Sequence, residues 1–198
     1  MIISLIGVDS YNRQQKLKWT LTEYRKKHSG LAVQEYSADE IGWFDNVKEY
    51  LRSQSLFDKF KLVVINDVKK SSKILSDDIK FIKALLIFKN SILVLVGTGL
   101  PKNLDFCKKK PATYQIFDQL THQAFKKFIS DEAAKRNVRL TQDQITTLHQ
   151  LYEGDPWGLI NELDKLEMGG DPQKIANASE DDRFYWSKAG EFLRTGSS

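Results

Sequence analysis

The sequence predicts an α/β fold: a five-stranded parallel sheet with helices on both faces, followed by a small three-helix unit. Three observations predict it. Short apolar runs at residues 2–6, 31–36, 62–65 and 92–96 alternate with segments whose apolar residues recur at helical spacing. Runs such as Leu62-Val63-Val64-Ile65 are continuous rather than alternating, the pattern of strands buried on both faces, and parallel strands need crossover helices to bury them. After Leu120 the texture changes, and residues 121–168 hold three helical segments and no strand candidate.

Each element follows in order. Ile2-Ile3-Ser4-Leu5-Ile6 is the first strand, ended by Gly7. Residues 12–28 read as a surface helix, with Leu17, Trp19, Leu21 and Tyr24 set among charges. Residues 31–36 are the second strand. Ser37 and Glu40 fit a capping box, and the helix it opens, over about 38–52, is expected to bury Ile41, Phe44, Val47, Tyr50 and Leu51. Residues 62–65 are the third strand. Asp77-Asp78 read as a helix start within a helix over 74–88, and residues 92–96 are the fourth strand, ended by Gly97. Residues 113–117 are the fifth and weakest strand signal.

Helices are then expected over 121–136, 141–153 and 156–168. Thr141 and Gln144 form a second capping-box pattern, and Gly154-Asp155-Pro156 is a stop and a restart with Pro at the first helical position. The expected division is an α/β domain over 1–120, a three-helix domain over 121–168 and a tail over 169–198. Phe184, Tyr185, Trp186, Phe192 and Leu193 in the tail suggest one further helix over 181–195.

The bulk numbers exclude several classes. A chain of 198 residues with 41% hydrophobic and 28% charged residues is an ordinary globular chain, and its net charge of +4 is only mildly basic. The single cysteine, Cys107, has no internal disulfide partner, which favours a reducing compartment. No run approaches the roughly 20 apolar residues of a membrane span. The opening MIISLIGVD lacks the basic and long apolar regions of a signal peptide. A cytoplasmic protein is expected.

Little chemistry is legible. In a parallel α/β sheet the turn after the first strand is the usual phosphate site. Here that turn is Gly7-Val8-Asp9-Ser10-Tyr11-Asn12-Arg13, without a second glycine or the Gly-Lys-Ser/Thr end of a P-loop. Gly97-Thr98-Gly99 reads as a plain loop. His28, His122 and His149 show no metal-ligand spacing, and with one cysteine a zinc site is not expected. Cys107 precedes Lys108-Lys109-Lys110, which would lower its pKa, but a bland, partly buried thiol is the expectation. Asp9 and Asp67 follow strands one and three, as metal-nuclease carboxylates do, yet Asp commonly ends strands. Trp19, Trp43, Trp157 and Trp186 are assigned to core packing. The lysine runs at 108–110 and 126–127 read as solvated faces; the minority of such runs that contact phosphates bind in a salt-dependent way. The pair Leu56-Phe57 has no evident place: it is apolar, yet Asp58-Lys59 cuts it off from the third strand.

Three pieces, taken in order, carry a resemblance: Gly7-Val8-Asp9-Ser10-Tyr11; Ser55-Leu56-Phe57 with the strand at 62–65; and Gly154-Asp155 with Glu162-Leu163-Asp164-Lys165-Leu166. Over about residues 1–168 the chain resembles the delta subunits of bacterial DNA polymerase III, the clamp-loader wrench. The resemblance implies an AAA+-type domain without a nucleotide site over 1–120, then a helical lid domain over 121–168. It implies no catalytic residues, no cofactor, no metal and no enzymatic activity of the chain's own. It implies that Leu56 and Phe57, with Ser55 setting the turn, insert into the apolar pocket of the sliding clamp (the beta subunit) and help open it during DNA replication. Primed DNA is then reached through the clamp, and other clamp-loader subunits are partners if a collar is supplied. The family carries a C-terminal collar domain for which residues 169–198 are too short, so either a fragment or a naturally reduced relative fits. Two other readings stay open: a nucleotide- or metal-dependent nucleic-acid enzyme using Asp9 and Asp67, and a direct DNA-binding module.

Overall fold

The computed structural model describes residues 1–28, 32–53, 60–70, 74–88 and 90–170. The chain divides into two compact units, Met1–Asp118 and Gln119–Ser198.

The first unit is built on β1 (Ile2–Ile6), β2 (Val33–Ser37), β3 (Lys61–Asn66), β4 (Ser91–Gly97) and β5 (Thr113–Ile116). They form one sheet in the order β2-β3-β4-β1-β5. Every pairing is parallel, with Ile2 opposite Leu93, Ile3 opposite Thr113, Val33 opposite Leu62 and Leu62 opposite Ile92. The helices α1 (Ser10–Arg25), α2 (Trp43–Arg52) and α3 (Ser76–Leu85) connect the strands. The five-stranded parallel sheet with helices on both faces is therefore the predicted architecture.

Strand periodicity divides the core. Val63, Ile65, Leu93 and Leu95 face one side, where Trp43, Phe44 and Val47 of α2 and Ile82 and Leu85 of α3 cover them. Leu62, Val64, Val94 and Val96 face the other side, under Leu17, Leu21 and Tyr24 of α1. The central strands need apolar residues at every position because both faces are covered, which is why they read as continuous runs. The edge strands β2 and β5 carry exposed residues, among them Glu35 and Gln115.

Four details depart from the sequence reading. The capping box at Ser37 and Glu40 does not form. Ser37 stays in β2, opposite Asn66 of β3, and its hydroxyl donates to the Asp39 carboxylate. α2 begins instead at Trp43, after Gly42 in the left-handed region at φ 75°, so Ile41 is fully exposed rather than buried. Trp19 also lies outside the core, with the Lys16 amine 3.7 Å from its ring centroid. Trp157 is exposed as well, leaving Trp43 as the buried tryptophan among the described residues.

The second unit, as described, is α4 (His122–Lys135), α5 (Gln142–Tyr152) and α6 (Pro156–Glu167), each packed against the other two. Phe125, Ile129, Leu148, Leu159 and Leu163 are completely buried at its centre. The Thr141–Gln144 capping box is formed in both directions, at 3.2 and 2.8 Å, and Pro156 opens α6. Arg136 ties α4 to α6, its Nε donating to Asp164 Oδ1 at 2.6 Å while Nη1 donates to Glu132 Oε2 at 2.7 Å. The further helix expected over 181–195 lies outside the described residues.

Candidate functional site

Ser55, Leu56 and Phe57 lie outside the described residues; the two ends of the segment that holds them do not. On one side α2 ends at Arg52 and Ser53. On the other, Phe60 leads into β3 at Lys61.

Lys61 is the unexpected residue here. It opens an otherwise apolar strand and is itself buried. A buried ammonium needs hydrogen-bond acceptors, and the end of a helix supplies unpaired carbonyls. The Lys61 amine donates to the carbonyls of Tyr50 and Ser53 and to Ser53 Oγ at 2.8 Å. Its positive charge also complements the negative end of the helix dipole. Burial still pushes the Lys61 pKa below the ordinary lysine value. The other anchor is at Phe60. The Tyr24 hydroxyl of α1 donates to the Phe60 carbonyl at 2.9 Å, and the His28 ring stacks on the Phe60 ring with centroids 4.5 Å apart. One end of the segment is thus tied to α2 and the other to α1.

Beside this segment, Asp45, Lys48, Glu49, Arg52 and Ser53 of the α2 region line a shallow concavity. Lys48 is held by two carboxylates, Asp45 at 2.8 Å and Asp78 of α3 at 3.0 Å, and these hydrogen bonds raise its pKa. Asp78 also accepts from the Leu75 backbone at 3.0 Å, so the acidic pair does cap a helix start.

The turn after β1 is filled by the chain itself. Asp9 is the N-cap of α1, accepting from the Asn12 backbone N–H at 3.0 Å and from its side-chain amide at 2.6 Å. The Arg13 guanidinium donates to the carbonyls of Gly7 and Gly97, the second at 3.2 Å. Burial lowers the Arg13 pKa, while Asp67 and Asp9 act the other way. The anion at this helix N-terminus is the Asp9 carboxylate, which takes the Asn12 backbone N–H that a phosphate there would use. Asp67 pairs with Lys70 at 3.4 Å. Asp9 and Asp67 are thus each engaged within the chain and share no third metal ligand among the described residues. Cys107 is fully buried in the core, and burial pushes its thiol up to about 12, so the neighbouring lysines do not activate it.

Sequence reasoning missed the anchors Lys61, Tyr24 and Phe60. The one available signal was a lysine directly abutting an apolar strand, a position where an unpaired charge is costly.

This topology defines an AAA+-like α/β fold. No protein-family model and no curated protein matches the chain, but solved structures do. It is similar to the Bacillus subtilis DNA clamp loader delta protein (YqeN), with a TM-score of 0.60 and 14% identity, over 100% of this chain and 68% of that one. It is also similar to the Thermotoga maritima RuvB Holliday junction branch migration motor, with a TM-score of 0.57 and 14% identity, over 82% of this chain and 52% of that one. The replication initiator DnaA, bound to AMPPCP and single-stranded DNA, matches with a TM-score of 0.56 and 15% identity, over 98% of this chain and 63% of that one. The chain thus spans between about half and two thirds of the length of these proteins. Among the described residues, no helix is long and apolar enough to cross a membrane.

Proposed function

We propose that this chain is a delta-type clamp-loader subunit that binds and opens a ring-shaped sliding DNA clamp during replication. Leu56 and Phe57 enter an apolar pocket on the clamp, and Ser55 sets the turn that presents them. The observation that carries this reading is the double anchoring of the segment between Ser53 and Phe60. Fixed ends keep the two apolar residues near one edge of the unit, and a fixed place of attachment lowers the cost of docking. Burying each side chain in a partner supplies about 1.5–3 kcal/mol, enough for a small hot spot. The likeness to a clamp loader delta protein supports the same reading.

The chain acts without chemistry of its own. The self-capped turn at Asp9 supports this, since a nucleotide phosphate there would compete with an internal carboxylate. Primed DNA is reached through the clamp, and other loader subunits join where a collar is supplied.

The test is binding of the purified chain to the sliding clamp of its source organism, with and without the Leu56→Ala, Phe57→Ala double change. Abolished binding in a variant with an unchanged unfolding midpoint is the expected result. Normal clamp binding by a folded double variant sinks the proposal.

A further inference from the structure

We propose that His122, His149 and Glu153 form a binding site for a zinc(II) ion in the three-helix unit. The side chains come from two elements. His122 is the first residue of α4; His149 lies in the last turn of α5, and Glu153 caps that helix one turn further on. One ligand atom from each falls within 4.8 Å of the other two. His122 Nδ1 is 2.6 Å from Glu153 Oε1, and His149 Nε2 is 3.9 Å from the same oxygen. In a tetrahedral zinc site with bonds of about 2.0–2.1 Å, ligand atoms stand about 3.3 Å apart. Opening the shorter distance and closing the longer one by well under 1 Å each brings both to about that spacing.

A second observation points to a ligand. His149 is almost wholly buried, and its Nε2 has no hydrogen-bond partner among the described residues. Buried ring nitrogens are normally satisfied. This one is directed at the exposed pair, His122 and Glu153, while the body of the ring packs on Phe125 with centroids 5.9 Å apart. An apolar wall behind a histidine and an unpartnered ring nitrogen in front suit a metal ligand. The two histidine rings are 3.9 Å apart between centroids, so two imidazolium ions would repel, whereas two neutral imidazoles can share one cation. Lys126 of α4 is the cationic side chain that also bears on His149.

The donor set narrows the ion. Two imidazoles and one carboxylate suit zinc and its neighbouring transition metals, whereas hard cations such as magnesium or calcium prefer oxygen ligands. His122 and Glu153 are exposed, so the fourth position faces water and the bound ion exchanges with solvent.

The test uses the untagged full chain, stripped with a chelator. Zinc binding is read by competition with a chromophoric chelator, and cobalt(II) binding by the visible absorption bands of tetrahedral cobalt. The expected result is one equivalent bound at or below 100 µM free zinc, with affinity weakened about tenfold or more in both His122→Gln and Glu153→Gln. Both residues are on the surface, so these variants fold. His28→Gln, in the other unit, leaves affinity unchanged. Zinc raises the melting temperature of the parent chain and not that of the two ligand variants. No binding at 100 µM zinc, or undiminished binding in either ligand variant, overturns the proposal.

Discussion

The Lys61 amine donates to the Ser53 hydroxyl across 2.8 Å, joining the end of α2 to the start of β3 around the segment that carries Leu56 and Phe57. The same amine serves the Tyr50 and Ser53 carbonyls. Lys61→Met removes the donor and leaves these acceptors without it. A loss of about 1–3 kcal/mol in urea unfolding is expected, together with weaker clamp binding, because the segment loses one anchor. An unchanged unfolding midpoint would show that the amine contributes nothing net.

Gly7 and Gly42 both have positive φ, at 142° and 75°, but in different surroundings. A Cβ at Gly7 would stand 2.0 Å from the Phe117 carbonyl oxygen, a backbone atom held by the Asp9 N–H. At Gly42 nothing lies within 4 Å. Gly42→Ala is expected to cost about 1 kcal/mol, from the left-handed backbone alone. Gly7→Ala is expected to cost about 4 kcal/mol or more, since backbone must move. Equal unfolding midpoints for the two variants would contradict the close approach.

Glu132 predicts how the three-helix unit responds to acid. Burial pushes its carboxyl up, but hydrogen bonds from Lys135 and Arg136 outweigh this and hold it below the ordinary glutamate value. The folded unit therefore binds this proton more weakly than the unfolded chain does. The stabilisation is complete above the ordinary glutamate range and lost as pH falls through the folded value. Glu132→Gln should flatten the decline of stability below pH 5 and cost about 1.5–3 kcal/mol at neutral pH, where Arg136 keeps Asp164 but loses the Glu132 carboxylate. Urea unfolding followed from pH 7 to pH 3 measures both effects. A parallel decline in parent and variant would remove Glu132 from the account.

Cys107 should be inert in the folded chain. With no exposed surface and a pKa near 12, its thiolate is negligible at pH 8. Alkylation by iodoacetamide should proceed only through unfolding, so its rate should rise with urea in step with the unfolded fraction. Rapid labelling of the native chain would place the thiol outside the core.

Much of the fold was legible because it is local. Continuous runs such as Leu62–Ile65 mark central strands, and the Thr141–Gln144 box marks a helix start through contacts three residues apart. The same local logic failed at Ser37–Glu40, where pairing with β3 held Ser37 in the sheet. Trp19 reads as core in sequence yet lies outside it, because helical spacing alone does not say how wide the buried face is. The apparent isolation of His122 from His149 in sequence disappears once α4 and α5 pack together, which no spacing rule encodes. The role of Lys61 is not legible in sequence because its acceptors are defined only where α2 ends. The expected wedge at Leu56-Phe57 rested on resemblance, and the structure adds the two anchors around it rather than the wedge.

β1 is first in the chain but interior in the sheet, between β4 and β5. Its nearest partner in the chain begins at Ser91. A ribosome adding about 5–20 residues per second therefore leaves Ile2–Ile6 unpaired for roughly 5–20 seconds, while β2 and β3 are already available to each other. β1 can join the sheet only once β4 has emerged, and β5 then covers its other edge. Until then Ile2, Leu5 and Ile6, all buried in the finished fold, lack the strand neighbours on either side that enclose them.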